Sequence, residues 1–395
     1  MSNWPGVGLT RLVRCARCDG ETGSRLVDVE DGEGKMMIGM QGETRDRVRD
    51  QRIERIEELV SPAKLLEELP LGEERGKAVV RGRGEVGNVL DGTDDRVLVV
   101  VGPCSVHDPA AALDYAGRLA ELSRDLSRDL LIAMRVYFEK PRTTTGWKGL
   151  INDPHLDDSG DVNTGLRMAR QLLLEVLDLG LPVGTEFLDP ITPQYIADAV
   201  AWGAIGARTT ESQTHRQLGS GLSMPVGFKN RTDGDVQVAV DAVRAAAAPH
   251  AFAGIDDNGA PAILYTTGNP DGHVILRGGR GAPNHGAEGI GEALSRLAAA
   301  GLPERLVVDA SHDNSGKDPA RQVLAAGQIA DQVADGNAAI VGVMLESFLA
   351  EGRQDLGQRS DLVYGQSITD PCLDWETTVT VLGQLGDAVR ARRGK

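Results

Sequence analysis

The sequence predicts an α/β protein, a (β/α)8 TIM barrel with an N-terminal arm and an inserted β-hairpin, on three observations. Short apolar runs rich in Val, Ile and Ala recur eight times after residue 97. Helix-like segments such as PAAALDYAGRLAELSRDL separate most of these runs. The runs are almost continuously apolar, which is typical of parallel strands buried on both faces. Eight alternations of strand and helix favour a closed barrel, and a doubly wound sheet is the alternative.

The N-terminal region lacks this pattern. Residues 1–46 are rich in Gly and charged residues without clear periodicity, and we expect them to form a disordered extension. Residues 47–96 are predicted to form an N-terminal arm, because apolar residues from Val48 to Leu59 recur at near-helical spacing. The stretch GRGEVG matches the dinucleotide-binding pattern GxGxxG. Only three residues separate it from the turn DGTDD, so no long helix follows to bind a pyrophosphate, and the match is weak evidence.

Residues 97–395 are predicted to form the barrel. Its eight predicted strands are RVLVVVGPC, LLIAMRVYF, LPVGTEF, GAIGART, MPVGFKN, GHVILRGG, RLVVDASH and AAIVGVMLES. Before the sixth of these runs, two short apolar stretches flank the turn-forming sequence DDNG. This pattern predicts a β-hairpin inserted at about residues 250–270.

Composition excludes several classes of function. The formal net charge is -16, and an acidic surface repels nucleic-acid phosphates and anionic lipids, so we expect a protein that binds neither nucleic acid nor membrane. No apolar run approaches the roughly 20 residues of a membrane span. The four cysteines are too few for a disulfide framework, and Cys15 and Cys18 form a single CxxC without the second pair of a structural zinc site. We therefore expect a cytoplasmic protein in which local basic clusters mark binding sites.

Each predicted strand ends in, or is followed by, a side chain that can bind an anion or a metal ion or can transfer a proton. These residues are Cys104, Arg135 with Lys140 beyond it, Glu186, Arg208, Lys229, Arg277, His312 and Glu346. Because the carboxyl ends of barrel strands face one mouth, we expect these side chains to lie close together. The cations among them, together with Arg142, would repel one another unless anions bind between them. They predict ligands that are small and carry several negative charges.

A second group at the same mouth contains metal-ligand types. It consists of Cys104, His312, Glu346 and Asp370, the last in the loop SITDPC. One thiol, one imidazole and two carboxylates predict a site for one divalent ion such as Mn²⁺, Fe²⁺, Co²⁺ or Zn²⁺. The expected role of this ion is Lewis-acid activation of a carbonyl group.

Seven ordered motifs resemble a known family. VGPCSVHDP, RVYFEKPRTTTGWKGLINDPHLDDS, GTEFLDPITPQY, WGAIGARTTESQTHR, PVGFKNRTDG, HVILRGG and YGQSITDPCLDWE are similar to motifs of type I 3-deoxy-D-arabino-heptulosonate 7-phosphate (DAHP) synthases, in the subclass regulated by aromatic amino acids. The resemblance extends from about residue 47 to the C-terminus. It implies condensation of phosphoenolpyruvate with D-erythrose 4-phosphate and water to give DAHP and phosphate, the first step of the shikimate pathway.

The resemblance also implies residue roles. The residues expected around phosphoenolpyruvate are Arg135, Lys140, Arg208, Lys229 and Arg277, with Glu186 nearby. Those expected to bind the sugar phosphate are Lys140, Pro141, Arg142 and Thr143. The candidates for acid-base catalysis are Lys140, His312 and Glu186. The metal ligands that it implies are the same four residues as in the group above.

Regulation and assembly are further expectations from the resemblance. An aromatic amino acid is expected beside the inserted hairpin, near Pro193, Leu222, Ser223, Phe252, Gly254 and Leu264. Gly254 leaves more room than a larger residue, which favours tyrosine over phenylalanine as the inhibitor. The expected assembly is a homodimer or homotetramer. Two alternatives remain: an enzyme that condenses phosphoenolpyruvate with another aldose phosphate, such as arabinose 5-phosphate, or a catalytically silent subunit, which should have lost a metal ligand or an anion-binding cation.

Overall fold

The structure, a computed structural model, describes residues 49–142, 144 and 146–395, so the predicted extension 1–46 and Thr143 lie outside the described residues. The chain divides into one unit that ends at Glu57 and a second that comprises Glu58–Lys395. In its described part, residues 49–57, the first unit contains no helix or strand. The near-helical spacing there does not produce a helix. Ile53 and Ile56 are 53% and 80% exposed, and an isolated short helix is only marginally stable in water.

Eight parallel strands close into a barrel, which confirms the predicted fold and excludes the doubly wound sheet. The barrel strands are β1 Val97–Gly102, β2 Leu130–Arg135, β3 Val183–Glu186, β4 Trp202–Ile205, β5 Val226–Lys229, β8 His273–Leu276, β9 Leu306–Asp309 and β10 Ile340–Glu346. Their order around the barrel is β1-β10-β9-β8-β5-β4-β3-β2. The remaining two strands, β6 Ala251–Ile255 and β7 Pro261–Tyr265, pair antiparallel as a separate hairpin. This hairpin lies within the range predicted for the insertion.

Helices precede the barrel and connect its strands. The helices are Pro62–Glu68, Glu73–Asp91, Pro109–Asp125, Val162–Asp178, Pro193–Ile196, Gln213–Gly221, Gln237–Ala246, Ala287–Ala299, His312–Ser315, Pro319–Ala334 and Trp375–Arg393. The GRGEVG stretch lies inside the helix Glu73–Asp91, so it cannot serve as a phosphate-binding loop. The boundaries proposed between extension, arm and barrel stay predictions.

Local sequence explains where several helices begin. Asp108 accepts hydrogen bonds from the main-chain N–H groups of Ala110 and Ala111, and Pro109 occupies the first turn. Asp318 and Pro319 begin a later helix in the same way. The carboxylate of an acidic N-cap accepts hydrogen bonds from the free N–H groups of the first helical turn, and the following proline fixes φ near its helical value. Each of these helices therefore begins at a defined residue.

The core has two layers because the barrel strands are buried on both faces. One layer fills the barrel interior and includes Leu98, Val100, Trp202 and Met344. The other lies between the strands and the surrounding helices, where alternate residues such as Val99 pack. The interior is therefore filled with side chains, which leaves the mouth at the carboxyl ends of the strands as the place for a site. In the part of the chain that the structure describes, no helix is long and apolar enough to cross a membrane.

Candidate active site

The carboxyl ends of the barrel strands surround one cavity. Predicted residues that line it are Lys140, Pro141, Arg142, Glu186, Arg208, Lys229, Arg277, His312 and Asp370. The lining also includes Thr232, Lys317 and Thr369, which the sequence did not single out. Side chains from seven different strand ends and their loops therefore meet in one space, as the prediction of a common mouth requires.

Three of the four predicted metal-ligating residues form a compact group. Ligand atoms of Cys104, Glu346 and Asp370 all lie within 4.8 Å of one another, and Cys104 and Glu346 are buried. The fourth, His312, borders this group, since its Nε2 lies 3.5 Å from Glu346 Oε1. One thiol, two carboxylates and an adjacent imidazole are a donor set that fits a borderline divalent cation.

The orientation of His312 is fixed by two oxygens near its Nδ1. This atom lies 2.8 Å from Asp309 Oδ2 and 2.7 Å from Ser311 Oγ. Asp309 is fully buried, and the attraction of His312 and Lys229, stronger than the opposing effect of burial, holds the pKa of its carboxyl well below the usual range. A hydrogen-bond acceptor at Nδ1 places the ring proton there and leaves the lone pair of Nε2 for a ligand.

Two lysines contact the metal-ligand group, the name used below for Cys104, Glu346 and Asp370. Lys140 Nζ lies 3.1 Å from Cys104 Sγ and 3.1 Å from the main-chain oxygen of the same residue. Lys317 Nζ donates to Asp370 Oδ1 at 3.0 Å. Burial raises the pKa of the Cys104 thiol, and the Glu346 carboxylate adds to the increase. Burial opposes the charge of Lys140, but Cys104 and Glu346 outweigh it and raise the pKa of this lysine.

Arg135 lies beneath the cavity rather than in its lining. It is 1% exposed, and its Nη2 donates to Glu346 Oε1 at 2.9 Å and to the Cys104 main-chain oxygen at 3.1 Å. Its guanidinium carbon is 3.5 Å from the centroid of the Tyr137 ring, an energetically favourable cation–π geometry. The structure thus shows Arg135 supporting the metal-ligand group, and its contact with a substrate stays a prediction.

The other predicted cations lie in the cavity wall. Lys229 Nζ donates to Asp309 Oδ2 at 2.9 Å. Arg277 forms an ion pair with Asp313, while its Nε is buried and has no hydrogen-bond partner among the described residues. Arg208 Nη1 donates to the Pro141 main-chain oxygen at 3.3 Å. Cations that arise from three different strands therefore approach one space, where an anion can bind between them.

Glu186 completes the wall because the backbone beside it is glycine. A Cβ at Gly206 would lie 2.2 Å from Glu186 Oε1, so only glycine at this position leaves room for the carboxylate. Glu186 itself is 7% exposed.

The basic loop after β2 borders a second cavity next to the first. Lys140, Pro141 and Arg142 line both, and Lys148 and Asn152 line only the second. Arg142 Nε donates to the Trp147 main-chain oxygen at 2.8 Å, which holds the loop in shape. The two cavities share this loop, and Glu139 and Asp189 also line the second.

Sequence reasoning missed several polar residues of the mouth. Besides Thr232 and Thr369, these are Asp309, Asp313 and Lys317. Asp309 ends β9 in VVDASH, so the rule applied to the other strand ends could have found it. Asp313 and Lys317 lie in the loop and short helix after β9, and no sequence pattern distinguishes them from surface charges.

The hairpin borders a separate cavity. Its lining includes Pro193, Leu222, Ser223, Phe252 and Leu264 among the residues predicted for an effector. Gly254 is not in this lining, and a Cβ there would lie 2.7 Å from Leu264 Cδ1. The space beside Gly254 is therefore occupied by Leu264, and the preference for tyrosine over phenylalanine stays a prediction.

Known proteins of one family are similar to this chain over most of its length. A family model described as the DAHP synthetase I family matches residues 68–383. The Phe-sensitive phospho-2-dehydro-3-deoxyheptonate aldolase of Escherichia coli is 54% identical over 345 residues, which cover 87% of this chain and 98% of the relative. The Tyr-sensitive protein of the same name from Escherichia coli is 52% identical over 328 residues, which cover 83% and 92%. The solved structure of this aldolase from Francisella tularensis has a TM-score of 0.85 and 50% identity, and the match covers 87% of this chain and 100% of that chain. The chain therefore belongs to the DAHP synthetase I family, enzymes that form DAHP from phosphoenolpyruvate and erythrose 4-phosphate.

Proposed function

We propose that the barrel mouth condenses phosphoenolpyruvate with D-erythrose 4-phosphate and water to give DAHP and inorganic phosphate, the first step of the shikimate pathway. The observation that carries this proposal is the meeting of Lys140, Arg208, Lys229 and Arg277 in one cavity with the metal-ligand group. Both substrates carry a phosphate, and phosphoenolpyruvate adds a carboxylate, so cations in this number have anions to bind.

The two adjacent cavities support a division of the substrates. Phosphoenolpyruvate lies between Arg208, Lys229 and Arg277, where the buried Nε of Arg277 supplies a donor for an anionic oxygen. The phosphate of erythrose 4-phosphate lies at the loop that contains Lys140, Pro141, Arg142 and Thr143. Arg135 supports the first substrate from beneath, through its contacts with Cys104 and Glu346.

The metal group is proposed to consist of Cys104, Glu346 and Asp370 with Nε2 of His312. These residues fit a single Mn²⁺, Fe²⁺, Co²⁺ or Zn²⁺ ion, since thiolate and carboxylate ligands together suit borderline cations. Such an ion supplies Lewis acidity toward the aldehyde oxygen of erythrose 4-phosphate.

The side chains of the mouth account for the remaining chemistry. The cations hold phosphoenolpyruvate so that its C3 can form a bond with the aldehyde carbon, and Lys140 supplies the proton that converts the aldehyde oxygen to a hydroxyl group. Water adds to C2, and Glu186 accepts the proton that this water loses. The C2–O bond to phosphate then breaks, the departing phosphate takes the proton of the new C2 hydroxyl group, and C2 becomes the ketone of DAHP. The fixed positive charges stabilise negative charge as it moves between the carboxylate, alkoxide and phosphate oxygens.

Regulation is proposed at the hairpin cavity. An aromatic amino acid, tyrosine or phenylalanine, fits between Phe252, Leu222 and Leu264, and relatives with both sensitivities are similar to this chain. We further propose that the protein is a cytoplasmic homodimer or homotetramer.

The experiment that tests the proposed reaction measures phosphoenolpyruvate consumption by the purified protein with erythrose 4-phosphate and Mn²⁺. Parallel reactions contain arabinose 5-phosphate instead, or a chelator in addition. We expect consumption only with erythrose 4-phosphate, release of one phosphate for each DAHP formed, and loss of activity with the chelator. Consumption with arabinose 5-phosphate alone would assign a different sugar, and no consumption with either sugar would identify a silent subunit.

A further inference from the structure

The carboxylate of Asp309 contacts both Lys229, which lines the anion cavity, and His312, which borders the metal-ligand group. It ends β9 and is fully buried. Its Oδ2 lies 2.9 Å from Lys229 Nζ and 2.8 Å from His312 Nδ1. Its Oδ1 accepts from the N–H group of Ser311 at 2.9 Å and from the Oγ of the same residue at 2.6 Å. Four donors therefore converge on two oxygens, which leaves the carboxylate no room to rotate.

The Lys229 side of this contact faces the anion cavity. Lys229 ends β5 and lines the cavity, although it is only 3% exposed. An ammonium group has three N–H donors, and Asp309 is the one acceptor for Nζ among the described residues. The bond to Asp309 fixes the direction of the side chain and leaves two N–H groups for a bound anion. A flexible lysine would lose more conformational entropy on binding.

The His312 side of the contact faces the metal-ligand group. Ser311 Oγ donates to Asp309 Oδ1, so its lone pairs are available to Nδ1 of His312 at 2.7 Å. Both neighbours of Nδ1 thus act as acceptors, and the ring proton belongs on this atom. Nε2 then presents a lone pair toward Glu346, whose Oε1 lies 3.5 Å away. A carboxylate that holds the far nitrogen of a histidine ligand fixes its orientation and increases its basicity.

We infer that Asp309 is a positioning residue shared by the anion site and the metal site: it holds Lys229 toward phosphoenolpyruvate and His312 toward the metal ion. This inference rests on the proposed function, because that function assigns the two ligands. It goes further in predicting that a change in one buried side chain, which touches neither ligand, weakens the binding of both.

The isosteric amide cannot replace this carboxylate. In Asp309→Asn, one oxygen becomes an NH₂ group, which is a donor. If this group faces Lys229 and His312, it opposes their N–H groups, and if it faces Ser311, it opposes two other donors. The first orientation leaves the N–H groups of Lys229 and His312 without an acceptor. The second leaves the main-chain N–H group of Ser311 unpaired, and it keeps only a neutral oxygen, a weaker acceptor than the carboxylate, for Lys229 and His312.

The experiment compares equilibrium binding in wild type and Asp309→Asn. Phosphoenolpyruvate binding is measured by calorimetry in the presence of chelator, and Mn²⁺ binding is measured by electron paramagnetic resonance without phosphoenolpyruvate. We expect each dissociation constant to rise by about 10-fold or more. Two further variants show the effect of losing one site at a time. Lys229→Met should weaken only phosphoenolpyruvate binding, and His312→Gln should weaken only Mn²⁺ binding.

A matched control separates positioning from general destabilisation. Asp129 is also buried and paired with cations, Arg390 and Arg393, but its hydrogen bonds join the C-terminal helix to the start of β2, away from the mouth. Asp129→Asn should lower the melting temperature and leave both dissociation constants unchanged.

The outcomes are distinguishable. If Asp309→Asn alters only one of the two dissociation constants, or neither, the shared role is overturned. If wild type binds both ligands but forms no DAHP, the proposed function fails while the comparison of variants still stands. Should Asp309→Asn not fold, ¹⁵N NMR of the metal-free wild type decides the tautomer of His312, assigned with His312→Gln. A proton on Nδ1 supports the inference, and a proton on Nε2 contradicts it.

Discussion

The ammonium group of Lys140 lies 3.1 Å from the thiol sulfur of Cys104. This contact joins the basic loop after β2 to the metal-ligand group, although the two residues belong to different strand ends. Lys140 also lines both cavities of the mouth. A single lysine is thus positioned between the two proposed substrate sites and next to the proposed metal, which suits a proton donor.

The first prediction concerns this lysine. Lys140→Met keeps most of the side-chain volume and removes the charge and the proton. We expect kcat to fall by about 10²- to 10⁴-fold, the usual contribution of a general acid. Steady-state kinetics with both substrates measure the effect. Lys77→Met is the control, since Lys77 is an exposed lysine paired with Glu73 and Glu74, and it should retain wild-type kcat. A Lys140→Met enzyme with unchanged kcat would remove this residue from the mechanism.

The second prediction concerns the thiol of the metal-ligand group. Cys104→Ala removes one donor from a group of three whose ligand atoms lie within 4.8 Å of one another. We expect the affinity for Zn²⁺ and Mn²⁺ to fall by at least about 10-fold, with a larger loss for the thiophilic Zn²⁺. A competition titration with a metal indicator measures both. Cys372→Ser is the matched control. Cys372 is also buried and lies outside this group, and its Sγ accepts a hydrogen bond from the Cys104 main-chain N–H group, which a serine oxygen can also accept. Equal affinity in Cys104→Ala and wild type would show that the thiol binds no metal.

The eight-stranded barrel could be predicted from sequence because strands buried on both faces must be almost entirely apolar, and their spacing by helices leaves few alternatives. The gathering of Lys229, Arg277 and His312 followed from the same rule, since all strands end at one mouth.

The contacts within the mouth could not be predicted. The burial of Arg135 beneath Glu346 and the pairing of Lys317 with Asp370 depend on side-chain packing between distant segments. The segment near Ile53 and Ile56 shows the converse limit: its apolar spacing is near-helical, yet residues 49–57 contain no helix and these two side chains are exposed.

The third prediction concerns the hairpin cavity. Ser223 is an exposed residue of its lining, apart from the mouth. Ser223→Leu adds apolar volume to the cavity and should exclude an aromatic amino acid. We expect inhibition by phenylalanine or tyrosine to weaken by at least about 10-fold, the result of losing roughly 1.4 kcal/mol of binding free energy, while kcat stays unchanged. Inhibition curves with each of phenylalanine, tyrosine and tryptophan measure the effect. Wild-type sensitivity in this variant would place the effector elsewhere.

The fourth prediction concerns stability at low pH. Trp202 Nε1 lies 3.1 Å from His273 Nε2 inside the barrel, and His273 Nδ1 lies 3.1 Å from the Asp271 main-chain oxygen. An indole nitrogen can only donate, so Nε2 must accept and His273 must be neutral. The pKa of His273 is lowered to about 4, mainly by burial. The hydrogen bond with the Asp271 main-chain oxygen opposes this shift, and the charge of Arg305 adds to it.

The sign of the pH dependence follows from these contacts. In the unfolded chain His273 takes up a proton near its ordinary pKa of 6.5, whereas in the folded protein it stays neutral down to about pH 4. The free energy of unfolding is therefore highest above about pH 6.5 and falls as the pH decreases toward 4, by about 3 kcal/mol in total from this residue. His273→Gln has no proton to gain, so its stability at about pH 7.5 should be lower but should fall less steeply between about pH 6.5 and pH 4.5. Urea unfolding over this range measures both slopes.

His250→Gln serves as the control, because His250 is only partly buried and bonds to the Ala245 main-chain oxygen. Parallel slopes for wild type and His273→Gln would mean that this histidine can be protonated without cost inside the barrel.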